Sequence, residues 1–184
     1  YRSILETSPD VIAIVDLEGY VRMVSPIATK LYRGHSDNDL IGRNIFDIIA
    51  PHERQKAIAN TNLMFDKYLG SVEYQILRFD GTIFDAEVNG NVIWSENNIP
   101  TGFIYIIRDI TERKKMQNRL YIFEKSVEQT ADHVMITDKE GVIQYVNPAF
   151  EATAGYSSNE VIGKTPKILQ SGRQGPEYYK KLWA

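Results

Sequence analysis

The sequence predicts an α+β fold whose unit occurs twice, and three observations carry that prediction. Short β-rich runs are joined by tight-turn signals, so the sheet is antiparallel and built from hairpins. Helical patterns fall between the two halves of that sheet. The chain also matches itself when shifted by 122 positions. Glu6, Asp10, Ile14, Asp16, Glu18, Gly19, Val24 and Pro26 fall on Glu128, Asp132, Ile136, Asp138, Glu140, Gly141, Val146 and Pro148. A period this long excludes a solenoid and points to tandem domains of one fold.

In the first copy, residues 1–8 predict a short helix with Ile4 and Leu5 on its apolar side, ended by Pro9 and Asp10. Val11–Val15 is a strand, residues 16–19 supply turn chemistry ending in glycine, and residues 20–24 return as the second strand. Ser25-Pro26 opens a helix to about Arg33, with Ser25 as N-cap and Gly34 as C-cap. A helical turn over residues 44–49 and a helix from Pro51 to about Tyr68 follow. Three strands complete the copy, over residues 71–79, 82–94 and 103–108. Asp80-Gly81 marks the first hairpin between them, and Phe84, Ala86 and Val88 alternate on the middle strand.

The stretch from Asp109 to Thr130 contains no Gly or Pro and is rich in helix formers. Met116, Leu120, Phe123 and Val127 recur at heptad spacing, and Asp109 or Thr111 can cap its start. It reads as one helix of about 18 residues, roughly 27 Å long. After it, residues 138–141 repeat the hairpin turn, Asn147-Pro148 repeats the helix start, and Val161-Ile-Gly163 repeats Leu40-Ile-Gly42. A last helix is expected over residues 176–183. The expected division is residues 1–110, a helical linker over 111–130, and the N-terminal part of a second domain over 131–184. By analogy with the first copy, the second lacks its last three strands and leaves an edge and an apolar face uncovered.

The 184 residues suffice for one large domain or two of about 100. A net charge of -3 gives no basic footprint for nucleic acid. The absence of cysteine excludes disulfides, thiolate metal sites and a cysteine nucleophile, and fits a cytoplasmic protein. No apolar run approaches the roughly 20 residues of a membrane span, and no signal peptide is evident. Because the chain begins at Tyr1 without Met, it reads as a fragment of a longer protein.

Residues 8–19, Ser25-Pro26, Leu40-Ile-Gly42, Arg78-Phe-Asp-Gly81 and Arg108-Asp-Ile-Thr-Glu-Arg113 resemble the PAS sensor family. The second copy resembles it more closely still, through residues 138–141, 145–150, Gly155-Tyr156 and 160–164. The resemblance covers nearly the whole chain. It implies two PAS-like domains, each a five-stranded antiparallel sheet with short flanking helices, with the second truncated. It also implies a cavity against the sheet and a helical linker that passes signals onward. The parent is then a sensor histidine kinase of a two-component system, a cyclic-dinucleotide enzyme such as a diguanylate cyclase, or a related regulator.

Residues 166–172, followed by Tyr178-Tyr179 and Leu182-Trp183, resemble the flavin-binding redox-sensing members of that family. Phe150, Ile168, Ser171 and Trp183 are the candidate flavin residues. An isoalloxazine ring needs a flat apolar slot, which Trp183, Phe150 and Ile168 can wall. The cofactor implied is FAD in a complete second domain, and none is expected in this fragment. In the photoadduct-forming flavin relatives the cysteine aligns with Pro166 here, so adduct chemistry is excluded.

In the first copy Tyr74, Arg78, Asn89 and Asn91 are candidate ligand-binding residues, an Arg beside Asn and Tyr being suited to a carboxylate. The alternative is a cavity filled by side chains, with these groups facing outward. Asp109 and Thr111 are expected to anchor the linker to the last strand, and Met116, Leu120, Phe123 and Val127 to carry the signal. The three histidines, His35, His52 and His133, lack metal-ligand spacing. Arg113-Lys-Lys115 reads as solvated helix surface.

There is no nucleophile–base pattern and no phosphate-cradling loop, so no catalysis is expected of the fragment itself. The expected role is a sensory and dimerisation module, a homodimer through the linker helix that acts on a downstream output domain of the same chain. No nucleic-acid partner and no direct membrane contact are expected. The competing reading is a ligand-free structural spacer.

Overall fold

A computed structural model describes residues 8–36 and 39–170. The helices expected over 1–8 and 176–183 fall mostly or wholly outside those residues. Two compact units divide the chain, Tyr1–Met116 and Gln117–Ala184.

The first unit is a five-stranded antiparallel sheet in the order β2-β1-β5-β4-β3. Its strands are β1 (Val11–Val15), β2 (Val21–Val24), β3 (Ser71–Leu77), β4 (Ile83–Trp94) and β5 (Pro100–Asp109). The chain between β2 and β3 forms α1 (Ile27–Tyr32), 3-10 turns at Ile45–Ile48 and Pro51–Glu53, and α2 (Arg54–Leu63). Period-2 alternation turns one sheet face toward these helices. Val11, Ala13, Val15, Tyr74, Ile76, Phe84, Ala86, Phe103, Tyr105 and Ile107 are buried on that face against Tyr32, Ile45, Ile48 and Ala57. The alternation read for Phe84, Ala86 and Val88 is therefore the core face of β4.

Three expectations are corrected. Ser25 does not cap α1, because its backbone N–H still donates to the Ile12 carbonyl (2.8 Å) and its hydroxyl accepts from the Ile12 amide (2.9 Å), holding it in the hairpin. Arg33 rather than Gly34 adopts the left-handed conformation that ends α1, with φ 54°. The helix from Pro51 is also shorter than expected. Leu63 and Phe65 are substantially exposed, so no buried stripe sustains further turns past Leu63.

In the second unit β6 (Met135–Thr137) and β7 (Ile143–Val146) form a two-stranded sheet. They are followed by α4 (Pro148–Ala154) and α5 (Ser158–Val161), the latter opened by a Ser157/Glu160 capping box. Ile143, Val146, Phe150 and Val161 form a small core, while β6 is exposed along its length.

The 122-residue repeat is visible bond by bond. Gly19 donates to the Asp16 carbonyl and Gly141 to the Asp138 carbonyl, both at 3.1 Å, with φ of 89° and 79° that glycine tolerates. Both hairpins have an irregular register at the matching place, Ile14/Val15 and Ile136/Thr137. Across Leu40-Ile-Gly42 and its counterpart, Gly42 donates to Val21 and Gly163 to Ile143.

Candidate functional site

Three places in this architecture can carry function: the cavity under the sheet, the root of the linker helix, and a cleft in the second unit.

The cavity of the first unit holds about 40 Å³ and is walled mainly by Ile45, Ile48, Ile49, Tyr74, Ile76 and Tyr105. That is room for one or two waters. Its polar groups are paired among themselves. The Thr61 and Tyr105 hydroxyls share a hydrogen bond of 2.9 Å, and Asn60 Nδ2 donates to the Tyr74 hydroxyl at 2.8 Å. Burial pushes the Tyr105 hydroxyl up to about 12 and raises Tyr74 as well.

Of the four expected ligand residues, only Tyr74 lines this cavity. Asn89 and Asn91 stand on the odd positions of β4, opposite in parity to Phe84 and Ala86, and so face away from it. Asn89 Nδ2 donates to the Tyr68 hydroxyl (2.8 Å) instead. Arg78 reaches the end of α1, where its Nε donates to the Leu31 carbonyl at 2.9 Å. The four do not form one site, because Tyr74 and the two asparagines stand on paired strands with opposite parity, and Arg78 lies just past the end of β3 and turns to α1. Thr61 and Asn60 escaped sequence reading, having no local pattern and pairing only across the fold.

The root of the linker helix α3 (Thr111–Gln129) is densely bonded to the sheet. Asp109 Oδ1 accepts from the Thr111 amide (2.8 Å), satisfying an orphan donor of the first turn, while Oδ2 accepts from Arg78 Nη2 (2.9 Å). Thr111 Oγ1 accepts from the Asp85 amide at 3.2 Å. Ile110, 2% exposed, donates its N–H to the Asp85 carbonyl at 2.9 Å.

Lys114 Nζ then meets Glu73 at 2.8 Å and Asp85 at 3.0 Å, and Arg113 lies 3.3 Å from Glu73 and 3.5 Å from Glu87. Arg113 and Lys114 are thus not the solvated surface expected of them. They dock on carboxylates that period-2 alternation gathers on the outer sheet face, from β3 and β4. Of the three, Lys115 alone is paired solely within its own helix, with Glu112.

The hydrogen bond from Lys114 holds the Glu73 carboxyl below its ordinary value of 4.5, and Glu73 in turn raises Lys114. A carboxyl lowered by folding contributes stability above its unfolded pKa and loses it as pH falls through the folded value. Lys114, raised above 10.5, loses its contribution only as pH rises through its folded value. Amide protection factors of residues 113–118, with the intrinsic pH dependence of exchange divided out, should therefore be flat near neutrality and fall below about pH 4.5. They should also fall in high salt at pH 7, because these pairs are partly exposed. A Lys114→Met chain with unchanged exchange and unchanged pH dependence would contradict the clamp.

Beyond its root the helix is bare. Met116, Leu120 and Phe123 are each about 60% or more exposed, and Tyr121 and Ile122 beside them are over half exposed. Val127 is partly buried.

In the second unit Phe150 and Ile168, two of the flavin candidates, pack together in the small core. They line a cleft of about 450 Å³ with His133, Thr153, Tyr156 and Gln170. Ser171 and Trp183 lie outside the described residues. The cleft falls in the size range of small-molecule sites, and its apolar wall with a polar rim suits a flat ring with hydrogen-bonding edges. Among the described residues no group of three or more His, Asp or Glu is placed to hold a metal, and no helix is long and apolar enough to cross a membrane.

Comparison with known proteins agrees with this architecture. The family model described as PAS domain matches residues 9–112, and one described as PAS fold matches residues 121–182. The sensor protein FixL of Bradyrhizobium diazoefficiens is 29% identical over 125 residues, 65% of this chain and 24% of that protein. A nitrogen fixation regulatory protein of Klebsiella pneumoniae is 34% identical over 62 residues, 34% of this chain and 12% of that protein. The chain therefore spans a quarter or less of these curated relatives. Among solved structures, a PAS domain from Colwellia psychrerythraea is 23% identical with a TM-score of 0.56, covering 60% of this chain and 93% of that one. An RNA-binding light-oxygen-voltage receptor is 19% identical with a TM-score of 0.53, covering 67% of this chain and 36% of that one. These likenesses are of fold. With the five-stranded antiparallel sheet, the helices on one face, and a family model spanning residues 9–112, the chain belongs to the PAS family.

Proposed function

We propose that this chain is the sensory and relay portion of a larger signalling protein, a sensor histidine kinase or a cyclic-dinucleotide enzyme, with no catalysis of its own. The observation that carries this reading is the contrast along α3. Its root is held to the sheet by Asp109, Thr111, Arg113 and Lys114, whereas Met116, Leu120 and Phe123 lie open. A helix anchored at one end and apolar along an open stripe transmits a shift of the sheet to whatever packs on that stripe. We assign a second copy of the chain to it, through the heptad seam of Met116, Leu120, Phe123 and Val127. The relay is then two-state, biased by small changes at the root.

The signal itself is assigned to the second domain in its complete form. There Phe150 and Ile168, with Ser171 and Trp183, would wall a flavin, FAD by chemical class. When bound, that group supplies reversible two-electron redox chemistry, and the residues of this chain hold and shield the ring. The domain organisation proposed is residues 1–110, the linker 111–130, and the start of the second domain at 131, in a cytoplasmic parent.

The dimer is tested by light scattering or sedimentation of the native chain and of Leu120→Asp. A charge in the seam is expected to weaken self-association at least tenfold. A native chain that stays monomeric at high micromolar concentration, or a Leu120→Asp chain that still dimerises equally, contradicts the seam.

A second reading has its own support. The first-unit cavity of about 40 Å³ is closed by its own side chains, as in a ligand-free spacer. An absorption spectrum of the complete second domain separates the two, since flavin bands in the visible favour a sensor and a featureless visible spectrum favours the spacer.

A further inference from the structure

We propose that Asn147 is the positioning residue by which the second unit holds the far end of the linker helix and receives its movement, the counterpart of Asp109 at the root. This rests on the relay reading above. Asn147 is fully buried and uses its whole carboxamide. Its Oδ1 accepts from the Val134 amide (2.9 Å) and the Phe150 amide (3.0 Å). Its Nδ2 donates to the Val127 carbonyl (3.1 Å), in the last turn of α3, and to the Asp132 carbonyl (2.9 Å).

The internal repeat separates what the fold needs from what is added. At the equivalent position the first unit has Ser25, whose hydroxyl accepts from the Ile12 amide (2.9 Å), as Asn147 Oδ1 does from Val134. Both residues also close the hairpin with their own N–H, to Ile12 and to Val134. Holding the hairpin therefore needs an acceptor only, which a serine supplies. Among the described residues the two N–H bonds of Asn147 have no counterpart at Ser25, and they run to the last turn of α3 and to the connection that follows it. Capping α4 does not need them either, because the cap uses Oδ1. One takes the Val127 carbonyl, among the last four of α3 that have no acceptor role in the helix ladder, and the other takes the Asp132 carbonyl in the connection to β6. A rotation or slide of α3 thus pulls on a group that also fixes the start of β6, at Val134, and the first turn of α4, at Phe150. Phe150 in turn walls the 450 Å³ cleft.

The test uses the 184-residue chain and the Asn147→Ser substitution, which grafts the first unit's solution into the second. The Val134 amide should keep its exchange protection, while amides in the last turn of α3 and in residues 130–132 exchange about tenfold faster. Asp109→Ala, which releases the root, should alter the resonances of β6 and β7 in the native background and leave them unchanged in Asn147→Ser. Equal transmission in both backgrounds would overturn the assignment of Asn147 while leaving the relay intact. If Asp109→Ala alters nothing beyond α3 even with Asn147 present, the relay reading itself falls. Should Asn147→Ser not fold, the side-chain amide resonance of Asn147 in the Asp109→Ala chain decides. A shift supports the assignment, and an unmoved resonance overturns it.

Discussion

Arg78→Ala is expected to destabilise the first unit by about 3 kcal/mol and to free the linker root at the same time. The guanidinium is only 13% exposed and serves three elements. It donates to the Leu31 carbonyl at the end of α1 (2.9 Å) and to Asp109 at the end of β5 (2.9 Å), and it lies 4.4 Å over the Phe84 ring in the core. Truncation leaves the Leu31 carbonyl without this donor and Asp109 without its cation, and it uncovers an aromatic face. Because Asp109 also caps α3, exchange of the Thr111 amide should rise beyond what global destabilisation explains. Arg78→Lys should recover part of the stability, since it keeps the charge but not the planar fork that spans two acceptors. Urea unfolding followed by amide signals of β1 and β5 measures the first effect. A loss below about 1 kcal/mol, or a Thr111 amide that tracks the rest of the unit, would refute the account.

Gly102→Ala is expected to cost a similar amount, about 3 kcal/mol, by a different route. Gly102 lies in β5 opposite the end of β1, and a Cβ there would run into the Val15 carbonyl oxygen. The obstacle is backbone, so no rotamer change relieves it. Val15 pairs with Phe103 in the central ladder, so the clash opens the sheet between two neighbouring core residues. The expected signature is loss of protection at the Val15 and Phe103 end first. The ladder from Val11/Ile107 to Ala13/Tyr105 is retained, because those pairs lie away from the clash. A Gly102→Ala chain as stable as the native one in urea would show that the two strands can separate at no cost.

The relatives and the solved structures place the fold in a family but span too little of those proteins to carry an activity to this one. Specificity here has to be argued from this chain's own side chains. Within it the two units differ instructively. The first has its cavity nearly filled and its linker root clamped. The second, as described, has a two-stranded sheet, an exposed β6 and an open cleft.

Local chemistry decided much of this in the sequence alone. Hairpin turns at residues 16–19 and 138–141, the Asn147-Pro148 helix start, inward alternation through Phe84 and Ala86, and the Gly-free stretch after Asp109 each depend on residues close in the chain. Their signal survives without tertiary context. The 122-residue repeat is legible for the same reason, since each copy must solve the same turns and caps with the same residue types. Asp109 as the anchor of the linker was also readable, because a cap acts on amides two residues away.

The tertiary structure alone decided which distant groups meet. Tyr74, Arg78, Asn89 and Asn91 look like one polar cluster, but strand parity sends them to different faces. Arg113 and Lys114 look like solvent-facing charge on a polar helix. Only the pairing of β3 with β4 assembles Glu73, Asp85 and Glu87 into their receptor. Asn147 reads as a helix cap, and its grip on Val127, 20 residues earlier, appears only once the helix end and the hairpin are folded together. Sequence records what a residue can donate, accept or bury, and long-range packing determines which partner is within about 3 Å to use it.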